Sequence, residues 1–233
     1  MDAAAVVAPR GGLWRGAVPG VVVGMRAEAR IARRLSGAVA IGGGGAAGAA
    51  RVAEALLDQG VGALISLGLA GGLDPALPAG AVLVPGVIVI DGDAIATDPV
   101  LAARLRGGGL VDGRPVFGGT EIAATMAAKR RLWEATGAAA VDLESGAVAW
   151  AARARGVPFA ALRVVCDPAG RDLPPAARDA LTGTGRVAAG RIIASLLRRP
   201  GQIGGLLALA RDEAAARRAL LRQVEAIGPL GVT

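Results

Sequence analysis

Runs of apolar residues alternate with segments of helical spacing along most of the chain. Strand-like runs lie at 20–24, 38–41, 61–67, 139–143 and 159–166, and apolar positions three and four apart mark helices at 28–35, 46–59, 145–155 and 176–197. This alternation predicts an α/β protein, a sheet covered by helices on both faces. The runs 81–84 and 86–90 flank Pro85 with no helix between them, so the sheet is expected to be mixed, though largely parallel. Residues 101–115 are glycine-rich and read as a loop. There is no internal repeat. Beyond Pro200 the pattern changes: Leu206, Leu209, Ala216, Leu220, Val224 and Ile227 recur at near-helical intervals among Arg211, Arg217, Arg218 and Arg222, an amphipathic basic helix. The chain divides on this reading into an α/β domain over 1–199 and a helical extension over 200–233. That extension either packs on protein or rests on an anionic lipid surface.

The segment 141–167 carries the densest chemistry. Glu144 and Asp167 stand at the ends of two apolar runs joined by about a dozen helix-forming residues, the spacing of a strand, crossover helix and parallel strand. Such a unit brings both carboxylates to one sheet edge. In open α/β sheets that edge is where ligands sit, which makes these acids candidates for chemistry.

Composition narrows the classes. With 233 residues, 53% of them hydrophobic, the chain can bury one well-formed α/β core. Its long apolar stretches, 59–73 and 75–90, are separated by Asp74 and broken by prolines and glycines. Neither offers the ~20 apolar residues of a membrane span. An acid at position 2 is unlike a secretory signal, and one cysteine cannot form an internal disulfide, so a cytoplasmic location is expected. The net charge of +7 could suggest nucleic acid, but aromatic residues make up only 2% and tyrosine is absent. All 26 basic residues except Lys129 are arginine, which reads as codon bias. An anionic small molecule or a membrane surface could use the same charge. The absence of histidine removes Ser-His-Asp triads, Cys-His pairs and histidine-based zinc sites. Acid–base work must then fall to carboxylates, arginine or the substrate itself.

Two glycine-rich turns remain. Gly43, Gly45 and Gly48 match G-x-G-x-x-G between a strand and a helix, so a dinucleotide-dependent oxidoreductase is one reading, although the next strand ends at 66–68 without the acid such a site needs. Anion binding at a helix N-terminus and a plain tight turn are the others. The second turn, 66–80, contains Ala70, Gly71 and Gly72, suited either to close approach of a ligand or to positive φ.

Four blocks taken together resemble the superfamily of purine nucleoside phosphorylases and 5′-methylthioadenosine/S-adenosylhomocysteine nucleosidases. They are Gly24-Met25-Arg26-Ala27-Glu28, then Gly68-Leu-Ala-Gly-Gly-Leu-Asp-Pro with Gly80-Ala-Val-Leu-Val, then Val141-Asp-Leu-Glu-Ser, then Arg163-Val-Val-Cys-Asp. The tail, Leu196-Leu-Arg-Arg-Pro-Gly-Gln with 206–222, is similar to the hopanoid-associated phosphorylases, which act on adenosylhopane.

The resemblance implies a three-layer α/β/α sandwich and cleavage of the N-glycosidic bond of a 5′-substituted adenosine. Such cleavage builds positive charge on the ribose and negative charge on the departing base, so a site must stabilise one and protonate the other. By position, Asp167 matches the acid that protonates the purine, Glu144 the carboxylate that holds the ribose hydroxyls, and Leu143, Ala70, Gly71 and Ile122 further substrate contacts. Glu28 matches the glutamate that activates water in hydrolytic members; on its own terms it could equally be a first-turn acid favoured by the helix dipole. Asp142, one residue out of phase with Leu143, reads as structural.

Phosphate is the expected co-substrate, with Gly24, Arg26, Gly43 and Gly44 as its contacts and neither metal nor other cofactor implied. The arginine and serine that hold phosphate in hexameric phosphorylases are replaced here by Ser66 and Leu69, and hydrolysis is the alternative outcome. Ile122 stands where the nucleosidases place a phenylalanine. The resemblance also implies a homo-oligomer.

Overall fold

The computed structural model describes residues 6–7, 12–107, 111–180 and 200–231. Among the described residues ten strands form one mixed sheet. In chain order they are β1 (Val6–Val7), β2 (Pro19–Val23), β3 (Val39–Ile41), β4 (Ala63–Gly72), β5 (Val82–Leu83), β6 (Val87–Ile90), β7 (Asp93–Ala96), β8 (Val116–Gly118), β9 (Ala140–Asp142) and β10 (Phe159–Asp167). The helices are α1 (Arg26–Ala32), α2 (Ala46–Asp58), α3 (Pro99–Arg106), α4 (Met126–Thr136), α5 (Ser145–Arg155), α6 (Pro175–Ala180) and α7 (Ile203–Ile227).

The centre of the sheet is β4. It pairs in parallel with β10 along most of its length and with β2 over residues 63–66, and its last two residues, Gly71 and Gly72, pair antiparallel with Val141 and Ala140 of β9. Side chains alternate across this centre. Ala63, Ile65 and Leu67 of β4 and Ala160, Leu162 and Val164 of β10 face one core, which α1, α3 and α7 close. Leu64 and Ala70 of β4 and Phe159, Ala161 and Val165 of β10 face the other, under α2 and α5. The result is the expected three-layer sandwich. The C-terminal half of α7 belongs to it: Ala216, Leu220, Val224 and Ile227 are buried in the first core.

On the second face the period-2 pattern places two polar side chains where apolar ones would continue it. Ser66 follows Leu64, and Arg163 follows Ala161; both are buried. In register Arg163 lies opposite Gly68. A Cβ at Gly68 would sit 2.6 Å from an Arg163 guanidinium nitrogen, so a glycine is what lets the arginine lie across its neighbour strand.

The structure departs from the sequence reading in several places. β9 and β10 are not a parallel neighbouring pair: they flank β4 and run in opposite directions, because β9 joins β4 only at its glycine-rich end. The stretch expected to turn after residue 67 continues as strand to Gly72. Residues 101–115 are no simple loop but begin inside α3, whose start is fixed by Asp98 accepting a hydrogen bond from the Leu101 N–H at 2.7 Å and by Pro99 at its first position. β7, β8 and α4 are additions. Of the helix expected over 176–197, the part beyond 180 lies outside the described residues. Among the described residues no helix is long and apolar enough to cross a membrane.

Candidate active site

Arg163 is 1% exposed and organises a polar island inside the second core. Its Nε lies 3.0 Å from an Asp142 oxygen and donates to the Ser145 hydroxyl at 3.1 Å, and one terminal nitrogen lies 3.3 Å from Glu144 and donates to the Ser66 hydroxyl. Asp142 does more than balance that charge. Its other carboxylate oxygen accepts the backbone N–H groups of Glu144 at 2.7 Å and Ser145 at 2.6 Å. These are two of the otherwise unpaired amides at the start of α5, so one aspartate caps the helix, fixes Glu144 at its first turn and braces the arginine.

Glu28 completes the island from the opposite direction. It caps its own helix, accepting the Met25 N–H at 2.8 Å, and reaches across to accept the Leu69 N–H of β4 at 3.1 Å. A first-turn acid and a site acid are here the same residue. Glu28 and Glu144 face one point: a Cβ on Gly24 would meet a Glu144 oxygen at 2.5 Å and a Glu28 oxygen at 3.4 Å. A Cβ on Gly68 would likewise meet Glu28 at 2.8 Å.

Burial acts on these acids more strongly than the single guanidinium does. Desolvation raises Glu144, with Asp142 and Glu28 adding to it and Arg163 opposing, to about 7. Glu28 is also raised by burial, against the pull of Arg163 and of the amides of Met25, Leu69 and Gly24. Arg163 is held charged: burial opposes its charge, and the three surrounding carboxylates outweigh that opposition.

Asp167 sits at the end of β10, opposite Gly71. That is three residues along β4 from Gly68, roughly 10 Å at about 3.3 Å per residue. One carboxylate oxygen is 2.7 Å from the ammonium of Lys129, a side chain of α4 with no solvent exposure. Burial raises Asp167 in spite of the neighbouring Lys129 and Arg171. Its neighbour Cys166 is pushed up by burial to about 12 and is an inert thiol.

The remaining sequence candidates scatter more widely. Gly43 and Gly44 have φ of +89° and +81° in the turn before α2, and the Gly43 N–H donates to Gly24 at 3.1 Å, so this turn adjoins the island. Gly48 serves packing: a Cβ there would fall 1.8 Å from the Gly42 carbonyl oxygen. Arg26 is exposed on the first turn of α1, Leu143 is half-buried, and the methyl of Ala70 belongs to the core under α5. Ile122 lies in a cleft of about 440 Å³ with Phe117, Thr120 and Arg131, a cleft whose walls include neither Glu144 nor Asp167. It is joined to the island through Gly119, whose N–H donates to the Asp142 carbonyl at 2.8 Å. Among the described residues no group of three acidic, cysteine or histidine side chains is placed to hold a metal ion.

Two residues of this site carry no role in the sequence pattern, Arg163 and the single lysine, Lys129. Asp142, expected to be structural, holds the start of α5 and faces Arg163.

The model of the phosphorylase superfamily matches residues 87–198. No curated protein matches the chain. Among solved structures, S-adenosylhomocysteine nucleosidase from Streptococcus pyogenes, in complex with 5-methylthiotubericidin, is 18% identical with a TM-score of 0.61, over 81% of this chain and 100% of that one. Futalosine hydrolase of Helicobacter pylori is 18% identical with a TM-score of 0.61, over 77% and 97%. A mutant 5′-methylthioadenosine/S-adenosylhomocysteine nucleosidase of Helicobacter pylori, with 5′-methylthioadenosine in its active site, is 17% identical with a TM-score of 0.63, over 91% and 99%. These likenesses establish the fold: a mixed sheet flanked by helices, of the nucleoside phosphorylase and nucleosidase type.

Proposed function

We propose that this protein is an enzyme that breaks the N-glycosidic bond of a 5′-substituted adenosine. The observation that carries the reading is the convergence of Glu28, Glu144 and Arg163 on the glycine pair Gly24 and Gly68, with Asp167 farther along the same strand. In this reading Asp167 gives its proton to the purine as the C1′–N9 bond breaks and the bonding electrons pass to the base. A carboxyl raised by burial holds a proton near neutrality better than an exposed one. Glu144 accepts the ribose hydroxyls, and its charge favours the cationic sugar that forms.

The attacking group is water in the version favoured by charge. The island holds three carboxylates against one guanidinium, and a phosphate dianion set among them would add to the excess. Glu28 would take the proton that water loses as its oxygen bonds to C1′. Phosphorolysis is the second reading, favoured by the Gly43–Gly44 turn at the N-terminus of α2, where backbone amides suit an anion, and by exposed Arg26. A lipid-linked 5′ substituent, with contact between the protein and a membrane surface, is supported by the tail's similarity to the hopanoid-associated enzymes and by Ile203 and Leu207 standing exposed at the start of α7. Purified protein incubated with 5′-methylthioadenosine, with and without phosphate, decides the nucleophile. Adenine release at the same rate in both supports hydrolysis; dependence on phosphate, with a sugar phosphate as product, overturns it.

A further inference from the structure

Lys129 is the single lysine of the chain and the single fully buried side chain of α4. Its ammonium has three donors and the structure fills all of them: an Asp167 oxygen at 2.7 Å, the Pro168 carbonyl at 2.9 Å and the Arg171 carbonyl at 2.9 Å. A buried cation is costly unless every donor is satisfied, and here each partner belongs to Asp167 or to the turn immediately after it. The arginines that make up the rest of the basic residues could not replace it. A planar guanidinium fork suits flat bidentate partners, whereas these three acceptors surround a point charge.

We propose that Lys129 is the positioning residue of Asp167: it fixes one carboxylate oxygen and the following turn, so that the other oxygen carries the transferable proton, and it stabilises the anion left when that proton passes to the base. This rests on the proposed cleavage reaction. Before transfer Asp167 is neutral and its proton sits on the free oxygen; after transfer the proton is on the purine and the aspartate is an anion paired with Lys129. The other charged groups facing Asp167 come from the turn itself, Arg171 and Asp172, and Arg171 is in turn paired with Asp212 of α7.

The test compares the full-length wild type with Lys129→Met, Lys129→Arg and Asp167→Asn, each checked for fold by circular dichroism. Adenine release from 5′-methylthioadenosine is followed from pH 5 to 10. Lys129→Met is expected to lower kcat about a hundredfold, the scale of general acid catalysis, with KM changed less than threefold. Its loss of activity on the alkaline side should move to higher pH, since an Asp167 without its cation holds its proton longer. Lys129→Arg should restore kcat only in part. A Lys129→Met profile with the shape and height of the wild type's overturns the proposal.

A second readout needs no turnover. Melting temperature is measured against pH for Lys129→Met and for the double variant with Asp167→Asn. A buried aspartate without its cation has a folded pKa raised further above its unfolded value. Its stabilising protonation is complete at low pH and is lost as pH rises, so Lys129→Met should lose stability between pH 5 and 9 relative to the double variant. If this stability signature appears while the wild type cleaves no adenosine derivative, the reaction assignment fails and the pairing stands. If the signature is absent, the positioning role fails even where the enzyme is active.

Discussion

Replacing Arg163 with methionine tests whether the polar island is held by its one cation. The side chain is nearly isosteric along its stem but removes the contacts to Asp142 at 3.0 Å, Glu144 at 3.3 Å and Ser145 at 3.1 Å, together with the bond to Ser66. Three acids then remain buried with no guanidinium. Removing one partner of a buried ion pair costs about 3–5 kcal/mol. For a domain of this size each kcal/mol shifts the midpoint by roughly 2–4 °C, so the melting temperature should fall by roughly 6–20 °C at pH 8. Protonation relieves the loss. Glu28 and Glu144 are already raised by burial with Arg163 present, Glu144 to about 7, and without it they rise further. Acids whose folded pKa lies above the unfolded value stabilise the fold fully at low pH, and that contribution disappears as pH rises through the folded pKa. The gap between wild type and Arg163→Met, read by differential scanning fluorimetry, should therefore be wider at pH 8.5 than at pH 5. An equal gap at both pH values, or a loss under about 2 °C at the higher one, would refute the picture of one arginine restraining three acids.

Asp142→Ala should slow adenine release at least tenfold and cost about 1 kcal/mol from the lost cap alone, because it frees the amides of Glu144 and Ser145; kinetics and urea melts check both. Gly24→Ala places a methyl 2.5 Å from a Glu144 oxygen and should depress kcat/KM while the fold survives, whereas Gly45→Ala, with nothing within 4 Å, should leave kcat/KM near wild type. The acidic limb of kcat/KM should lie near pH 7, where Glu144 gives up its proton, and Glu144→Gln should shift that limb. Iodoacetamide should leave Cys166 unmodified at pH 7.5 by mass spectrometry, since its thiol is pushed up to about 12.

The layered fold was legible because strand and helix periods are clean at β2, α2, α5 and β10, where one face or both are filled by Val, Leu, Ile and Ala. What escaped reading has physical causes. α4 buries a lysine and is poor in large apolar residues, so its ends, the Thr125 cap and Gly137 at φ +64°, are its clearest helix signals. α3 was hidden by the glycines that follow it, although Asp98-Pro99 is a strong start signal. β9 pairs antiparallel with β4 at Gly71 and Gly72 alone, and no local pattern in 139–143 encodes that direction. At the site, Glu144 and Asp167 were found as strand-end acids, but Arg163 and Asp142 obey a different logic. They are polar interruptions of buried strands, meaningful only once Gly68 is seen across from the arginine. The lone lysine among arginines is visible in the sequence, but its burial against Asp167 depends on how α4 packs.

The proposed glycosidic cleavage turns on Asp167 as proton donor. The most direct measurement is adenine release from 5′-methylthioadenosine by purified wild type and by Asp167→Asn, both verified as folded. The wild type should release adenine, and the variant should fall by about a hundredfold or more, the usual weight of a general acid. Equal release by the two proteins would remove Asp167 from the chemistry, and no release from any 5′-substituted adenosine would remove the reaction itself.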